Sequence, residues 1–122
     1  MGSPVNPTPE EKIAAARTRL AELAEKFVER TRGELDVMRR SLDELASTDG
    51  AALGEILHLA HRISGTGATL GFEAVSERAR ILEQLLAQQP AGAPCGATVV
   101  EQVRRAIESL AAELAAAAPR TP

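Results

Sequence analysis

A chain of 122 residues with a formal charge of -3 is the length of one domain with one hydrophobic core. Its only aromatics are Phe27 and Phe72, so the core must be aliphatic, and the abundance of Ala, Leu, Glu and Arg favours helix over sheet. A pI near 5.4, with no basic tract carrying stacking residues, excludes a nucleic-acid surface.

No apolar run reaches the roughly 20 residues of a membrane span, and Met1 to Glu10 has neither the basic nor the apolar part of a signal peptide. A soluble, cytoplasmic protein without membrane insertion is expected. From Thr8 to Ala46, apolar residues recur as Ile13, Ala16, Leu20, Leu23, Phe27, Leu35, Met38, Leu42 and Leu45, with Thr31 in the intervening place. Steps of three and four predict one long amphipathic helix. Thr8 caps it, Pro9 takes the first helical position, and Glu10 and Glu11 face the positive end of the dipole. Gly33 is a weak point and a candidate bend. At 1.5 Å per residue such a helix spans about 55 Å, more than the later helices cover, so its first turns should project or pack on something else.

The turn Ser47-Thr48-Asp49-Gly50 ends the helix, with Thr48 or Asp49 as cap for a second running from Ala51 to Leu70. Gly71 stops that one in the left-handed conformation. A third, Glu73 to Gln88, should bury Val75, Ala79, Leu82 and Leu86. Pro90 to Gly96 reads as a loop, in which the single cysteine, Cys95, is a free thiol that excludes an internal disulfide and a multi-cysteine metal site. A fourth helix, Thr98 to Ala118, should bury Val99, Val103, Ile107, Leu110 and Leu114, and Pro119 closes it. The expected fold is all-α, an antiparallel up-and-down four-helix bundle with an extended first helix. It covers residues 8–118, between disordered tails at 1–7 and 119–122.

Both histidines, His58 and His61, fall on the second helix. Advancing about 100° per residue, Leu53, Ile56, Leu57, Ala60, Ile63, Ser64 and Gly67 share one direction, the core face. His61 lies roughly 100° from its centre, at the boundary with solvent. Gly65 is only about 40° around the helix from His61. A mid-helix glycine costs about 1 kcal/mol relative to alanine, and here it leaves the imidazole open to a second protein. Gly67 points inward, where close packing is its reason. A neutral imidazole nitrogen is a competent nucleophile near pH 7, and no phosphate-cradling glycine loop accompanies it.

The run Ala60-His61-Arg62-Ile63-Ser64-Gly65-Thr66-Gly67-Ala68-Thr69-Leu70-Gly71, followed by Leu82-Glu83, resembles the histidine phosphotransfer (HPt) domain. The ungapped likeness covers about 25 residues, in a helix order that also fits. The resemblance implies that His61 accepts a phosphoryl group from an aspartate of a response-regulator receiver domain and passes it to another receiver, in a relay headed by a hybrid histidine kinase. It implies no cofactor on this chain: the receiver brings the magnesium ion and its own lysine. It also implies that Glu83, on the third helix, faces the histidine and orients its ring N–H. A monomer is expected.

One departure concerns the position three after the histidine, commonly lysine in that family and Ser64 here. Ser64 should bond back to the carbonyl of Ala60, leaving Arg62, if it bends back, or Arg80 as local compensation for phosphoryl charge. His58, one turn before His61, is placed with Arg62 and Gly65 on the docking face. Two other readings compete: a bundle of the same shape that binds partners without passing phosphate, and a metal site on Glu55, His58 and His61. Two-metal bundles draw ligands from several helices, and the other helices here carry no histidine, so no metal ligand is assigned.

Overall fold

The computed structural model describes residues 6–47, 50–90 and 92–118. Four helices follow in chain order: α1 (Pro9–Leu42), α2 (Ala51–Thr69), α3 (Glu73–Ala87) and α4 (Ala97–Ala117). The described residues contain no strand. α1 packs on α2 and α4, and α3 packs on the same two helices, while the diagonal pairs do not meet. Neighbours in sequence are thus neighbours in space, and the chain forms an antiparallel up-and-down bundle. Among the described residues no helix is long and apolar enough to cross a membrane.

The core is aliphatic. Met38, Ile56, Val75, Leu82, Ile107 and Leu110 are wholly buried, and each such side chain contributes roughly 1.5–3 kcal/mol by leaving water. All four positions predicted for α3 are buried; on α4, Val103, Ile107, Leu110 and Leu114 are buried and Val99 is half-buried.

α1 begins as its sequence dictates, with Thr8 Oγ1 accepting from the Glu11 backbone N–H at 3.1 Å. It runs without interruption through Gly33. Burial starts late: Ile13 and Leu20 are 53% and 58% exposed, Leu23 is half-buried, and Phe27 is the first buried residue. A helix of 34 residues is about 51 Å long at 1.5 Å per residue. The 19 residues of α2 span about 28 Å by the same rule, so the first turns of α1 extend past the bundle.

Helix ends fall within one residue of the sequence expectation except at the end of α1, and the cap of α2 also differs. α1 stops at Leu42 rather than Ala46, because the ladder tightens into turns in which Glu44, Leu45 and Ser47 donate to carbonyls three residues back. The carbonyl of Leu45 is instead taken by the backbone N–H of Cys95 at 2.8 Å. That bond pins the α3–α4 connection to the end of α1, and Cys95 is buried there as a free thiol. At the start of α2 the capping position is Gly50, left-handed at φ 68° and without a side-chain bond. The expected caps Thr48 and Asp49 lie outside the described residues, as do most of the two tails (1–5 and 119–122) and Pro119.

The α2–α3 corner is tightly made. Gly71 is left-handed at φ 86°, the N–H of Phe72 bonds the carbonyl of Gly67 at 2.8 Å, and that of Gly71 bonds Ala68 at 3.3 Å. This pair of bonds is the Schellman arrangement. It turns Phe72 back against Phe27, with ring centroids 4.9 Å apart.

Between α1 and α4, Arg39 holds Glu108 through two parallel bonds of 2.8 and 2.9 Å. The bond to Arg39 keeps the Glu108 carboxyl below the usual carboxylate range and raises the guanidinium. Both side chains are about half exposed, so the pair contributes little to stability.

Candidate functional site

α2 presents two faces with different contents. The inward face carries Leu53, Ile56, Ala60, Ile63, Ser64 and Gly67, all buried. A Cβ on Gly67 would lie 3.4 Å from Phe27 Cζ and 3.5 Å from both the Phe72 carbonyl and Ser76 Cβ. Beside it, Ser76 Oγ donates to the carbonyl of Ser64 at 2.7 Å in a buried bond. At Gly67 a methyl would thus make ordinary contacts with α1, the corner and α3, and a larger side chain would have to displace them.

The outward face carries His58, His61 and Gly65, all exposed. His61 Nδ1 lies 2.5 Å from Glu83 Oε2, with the imidazole 75% and the carboxylate 27% exposed. A carboxylate only accepts, so in the neutral ring this contact favours the tautomer with the proton on Nδ1, in which Nε2 keeps its lone pair on the far side of the ring. A Cβ on Gly65 would meet nothing within 4 Å, so the surface one turn beyond His61 is open. The His58 side chain makes no hydrogen bond or ion pair with the described residues.

The basic residues considered near His61 are engaged elsewhere. Arg62 does not bend back to the ring: it donates to Glu34 Oε1 on α1 at 2.6 Å. Arg30 reaches the same oxygen at 3.2 Å. The cause is Glu34 itself, whose side chain is only 11% exposed and whose charge needs a partner when buried. Arg80 pairs with Glu77 at 2.9 Å. Ser64 is buried, and the expected bond to the Ala60 carbonyl does not form. Its own carbonyl, bonded by Ser76, is instead part of the α2–α3 contact.

Glu34 was not anticipated from the sequence. Its Oε2 is buried without a hydrogen-bond partner, at a cleft between α1 and α2 that Arg62 and Thr66 also line. The available signal was an acid in core register, three after Thr31 and four before Met38. Glu55, the first ligand of a conceivable metal site, instead accepts from Ser41 Oγ at 3.3 Å. Among the described residues no three acidic, histidine or cysteine side chains converge on a metal position.

What the arrangement offers chemically is a nucleophilic ring nitrogen held outward by a carboxylate behind it, beside a gap in the side-chain surface. The family model described as the Hpt domain matches residues 22–116 of the chain. Comparison with curated proteins gave no match, and comparison with solved structures gave none.

Proposed function

The chain belongs to the Hpt domain family, which works in phosphorelays between histidine kinases and receiver domains, and from that premise we propose that His61 is the residue that carries the phosphoryl group. The observation that carries this reading is the His61–Glu83 contact, an exposed imidazole whose inner nitrogen is committed to a carboxylate. In the proposed step, Nε2 attacks the phosphorus of a receiver's aspartyl phosphate. The N–P bond forms as the P–O bond to the aspartate breaks, and the aspartate leaves as a free carboxylate. The ring gains positive character as this happens, and Glu83 balances it through the Nδ1–H bond. The reverse step delivers the group to a second receiver.

Gly65 leaves room for the receiver's pocket, and His58 and Arg62 extend the face against which it docks. With Arg62 held by Glu34 and Arg80 by Glu77, the compensating positive charge comes from the receiver, as its magnesium ion and lysine. Glu83 is a positioning residue, since it acts through the ring.

The test is exchange of label between the purified chain and phosphorylated receiver domains of its host. His61→Gln should abolish uptake, while Glu83→Gln should slow it by about 10- to 100-fold without abolishing it, the loss typical of an orienting partner. Both substitutions should leave stability within about 0.5 kcal/mol. Label retained in the His61 variant would overturn the assignment. A parent protein that takes label from no receiver would favour a phosphate-independent binding scaffold, with Ser64 in the lysine position as its cause.

A further inference from the structure

The first turns of α1 carry the same face as its buried half but have nothing on it. Ile13, Ala16, Leu20, Leu23 and Phe27 follow one another at steps of three, four, three and four, the spacing of the a and d positions of a coiled coil. From Phe27 onward that seam is covered by the bundle, whereas Ile13, Ala16 and Leu20 are exposed. An isolated helix gains nothing from a strict apolar seam in water.

The charges beside the seam restrict what can cover it. One flank, the g row, is Lys12, Arg19 and Lys26; the other, the e row, is Glu10, Arg17 and Ala24. Lys12, Arg17 and Lys26 make no ion pair with the described residues, and Arg19 has only a 3.9 Å contact to exposed Glu22. A second copy laid antiparallel, Ile13 against Leu23, would set Lys12 against Lys26 and Arg19 against Arg19 on one flank and Arg17 against Arg17 on the other, with no opposite charge facing any of them. A parallel copy would set Lys12 against Arg17. A lipid surface fits no better, because the stripe is a narrow seam with no aromatic among its exposed members, not the broad face of an interfacial helix.

From this we infer that the projecting part of α1 is a docking site for an amphipathic helix of a partner protein, with an apolar seam of its own and acidic residues on the flank facing Lys12, Arg19 and Lys26. The exposed part of the seam is offset from the phosphoryl chemistry. Leu20, its last exposed member, lies 14 residues before Glu34, about 21 Å along the helix axis, while Lys26 on its flank reaches the α1–α2 cleft that Glu34 and Arg62 also line. A helix seated on the seam leaves the His61 face free, so the site would tether a partner while a receiver comes and goes. It stands whether or not His61 is phosphorylated.

The probe is a synthetic three-heptad peptide with Leu at every a and d position and Glu at every e and g position. Its control carries Lys at e and g. Fluorescence anisotropy with the full chain should show the acidic peptide binding, more weakly as salt is added, and the basic peptide not binding. Leu20→Glu should weaken the complex at least about tenfold, since it places a charge in the seam. The double variant Lys12→Glu/Arg19→Glu, in which the seam is untouched, should exchange the preference and take the basic peptide. The inference is overturned if neither peptide binds, if both bind alike, or if the preference survives charge reversal. It is overturned equally if sedimentation shows a dimer of the chain alone that Leu20→Glu dissociates, or if vesicles of phosphatidylglycerol bind the helix in place of the peptide.

Discussion

Gly65 and Gly67 stand two residues apart on one helix and are there for opposite reasons. At Gly67 a Cβ would touch α1, the α2–α3 corner and α3 at 3.4–3.5 Å. At Gly65 it would touch nothing within 4 Å. The inward glycine faces a space already lined on three sides, which would take one carbon in ordinary contact and leaves little for more. The outward one costs helix stability and no contact inside the molecule requires it; on the proposed reading its return is the room it leaves beside His61 for a receiver. A glycine is informative only together with what its missing side chain would have met.

The largest effect that sharpens this contrast is on stability. Gly67→Leu should destabilise the bundle by about 1–3 kcal/mol, because the added carbons have no space between Phe27 and Ser76. Gly67→Ala, whose Cβ makes ordinary contacts, should instead hold or gain up to about 1 kcal/mol from helix propensity. Urea titration of both variants decides the matter, and a leucine variant as stable as the parent would remove the packing argument.

Arg62 sits between the two faces, and its removal comes next in size. Glu34 already has one oxygen buried without a partner, and Arg62→Ala would leave the other only Arg30, at 3.2 Å. A cost of about 1–2 kcal/mol is expected, smaller than for a fully buried pair because the Arg62 side chain is 36% exposed. Glu34→Gln added to Arg62→Ala should recover part of it, since no uncompensated charge then remains. A double variant no more stable than the single one would show that Arg62 acts through its packing rather than its charge.

These residues also mark how far the sequence could be read. Three-four periodicity located all four helices and nearly every buried residue of α3 and α4, because there one apolar face meets one core. It could not place the start of burial on α1: Ile13 and Leu20 continue the pattern of Phe27 and Met38, and a periodic face does not say what lies opposite. Glu34 is not legible in the sequence, because an acid on a core face looks like an interruption unless the arginines that reach it, Arg30 and Arg62, are known. The fate of Arg62 follows from that. Glu83 was reached through family resemblance rather than spacing, since no helical wheel relates residues on different helices; the structure has it in contact with His61.

On the outward face the effects move from stability to kinetics. Gly65→Gln should leave the fold intact and slightly favoured, by at most about 1 kcal/mol, since the new side chain enters open space on a helix. The same side chain should slow phosphoryl exchange with a receiver by about tenfold or more, because small misplacements of reacting groups cost large factors in rate. Rapid-quench kinetics with one receiver would show it, and an unchanged rate would mean that the gap beside His61 serves no partner.

The smallest effect belongs to His58→Gln, and its smallness is what makes it useful. His58 has the same side chain as His61, lies one turn away and is also exposed, so exposure and imidazole chemistry alone do not separate the two. What separates them is the carboxylate of Glu83 behind one ring and the open surface at Gly65 beside it. If those features make the acceptor, His58→Gln should keep label uptake and shift stability by no more than about 0.5 kcal/mol. Its trace should lie in the strength of receiver docking, seen as a modest change in the concentration dependence of exchange with the maximal rate preserved. Loss of uptake in His58→Gln together with uptake in His61→Gln would transfer the role to the ring without the carboxylate, and the contrast between the faces of α2 would then concern packing alone.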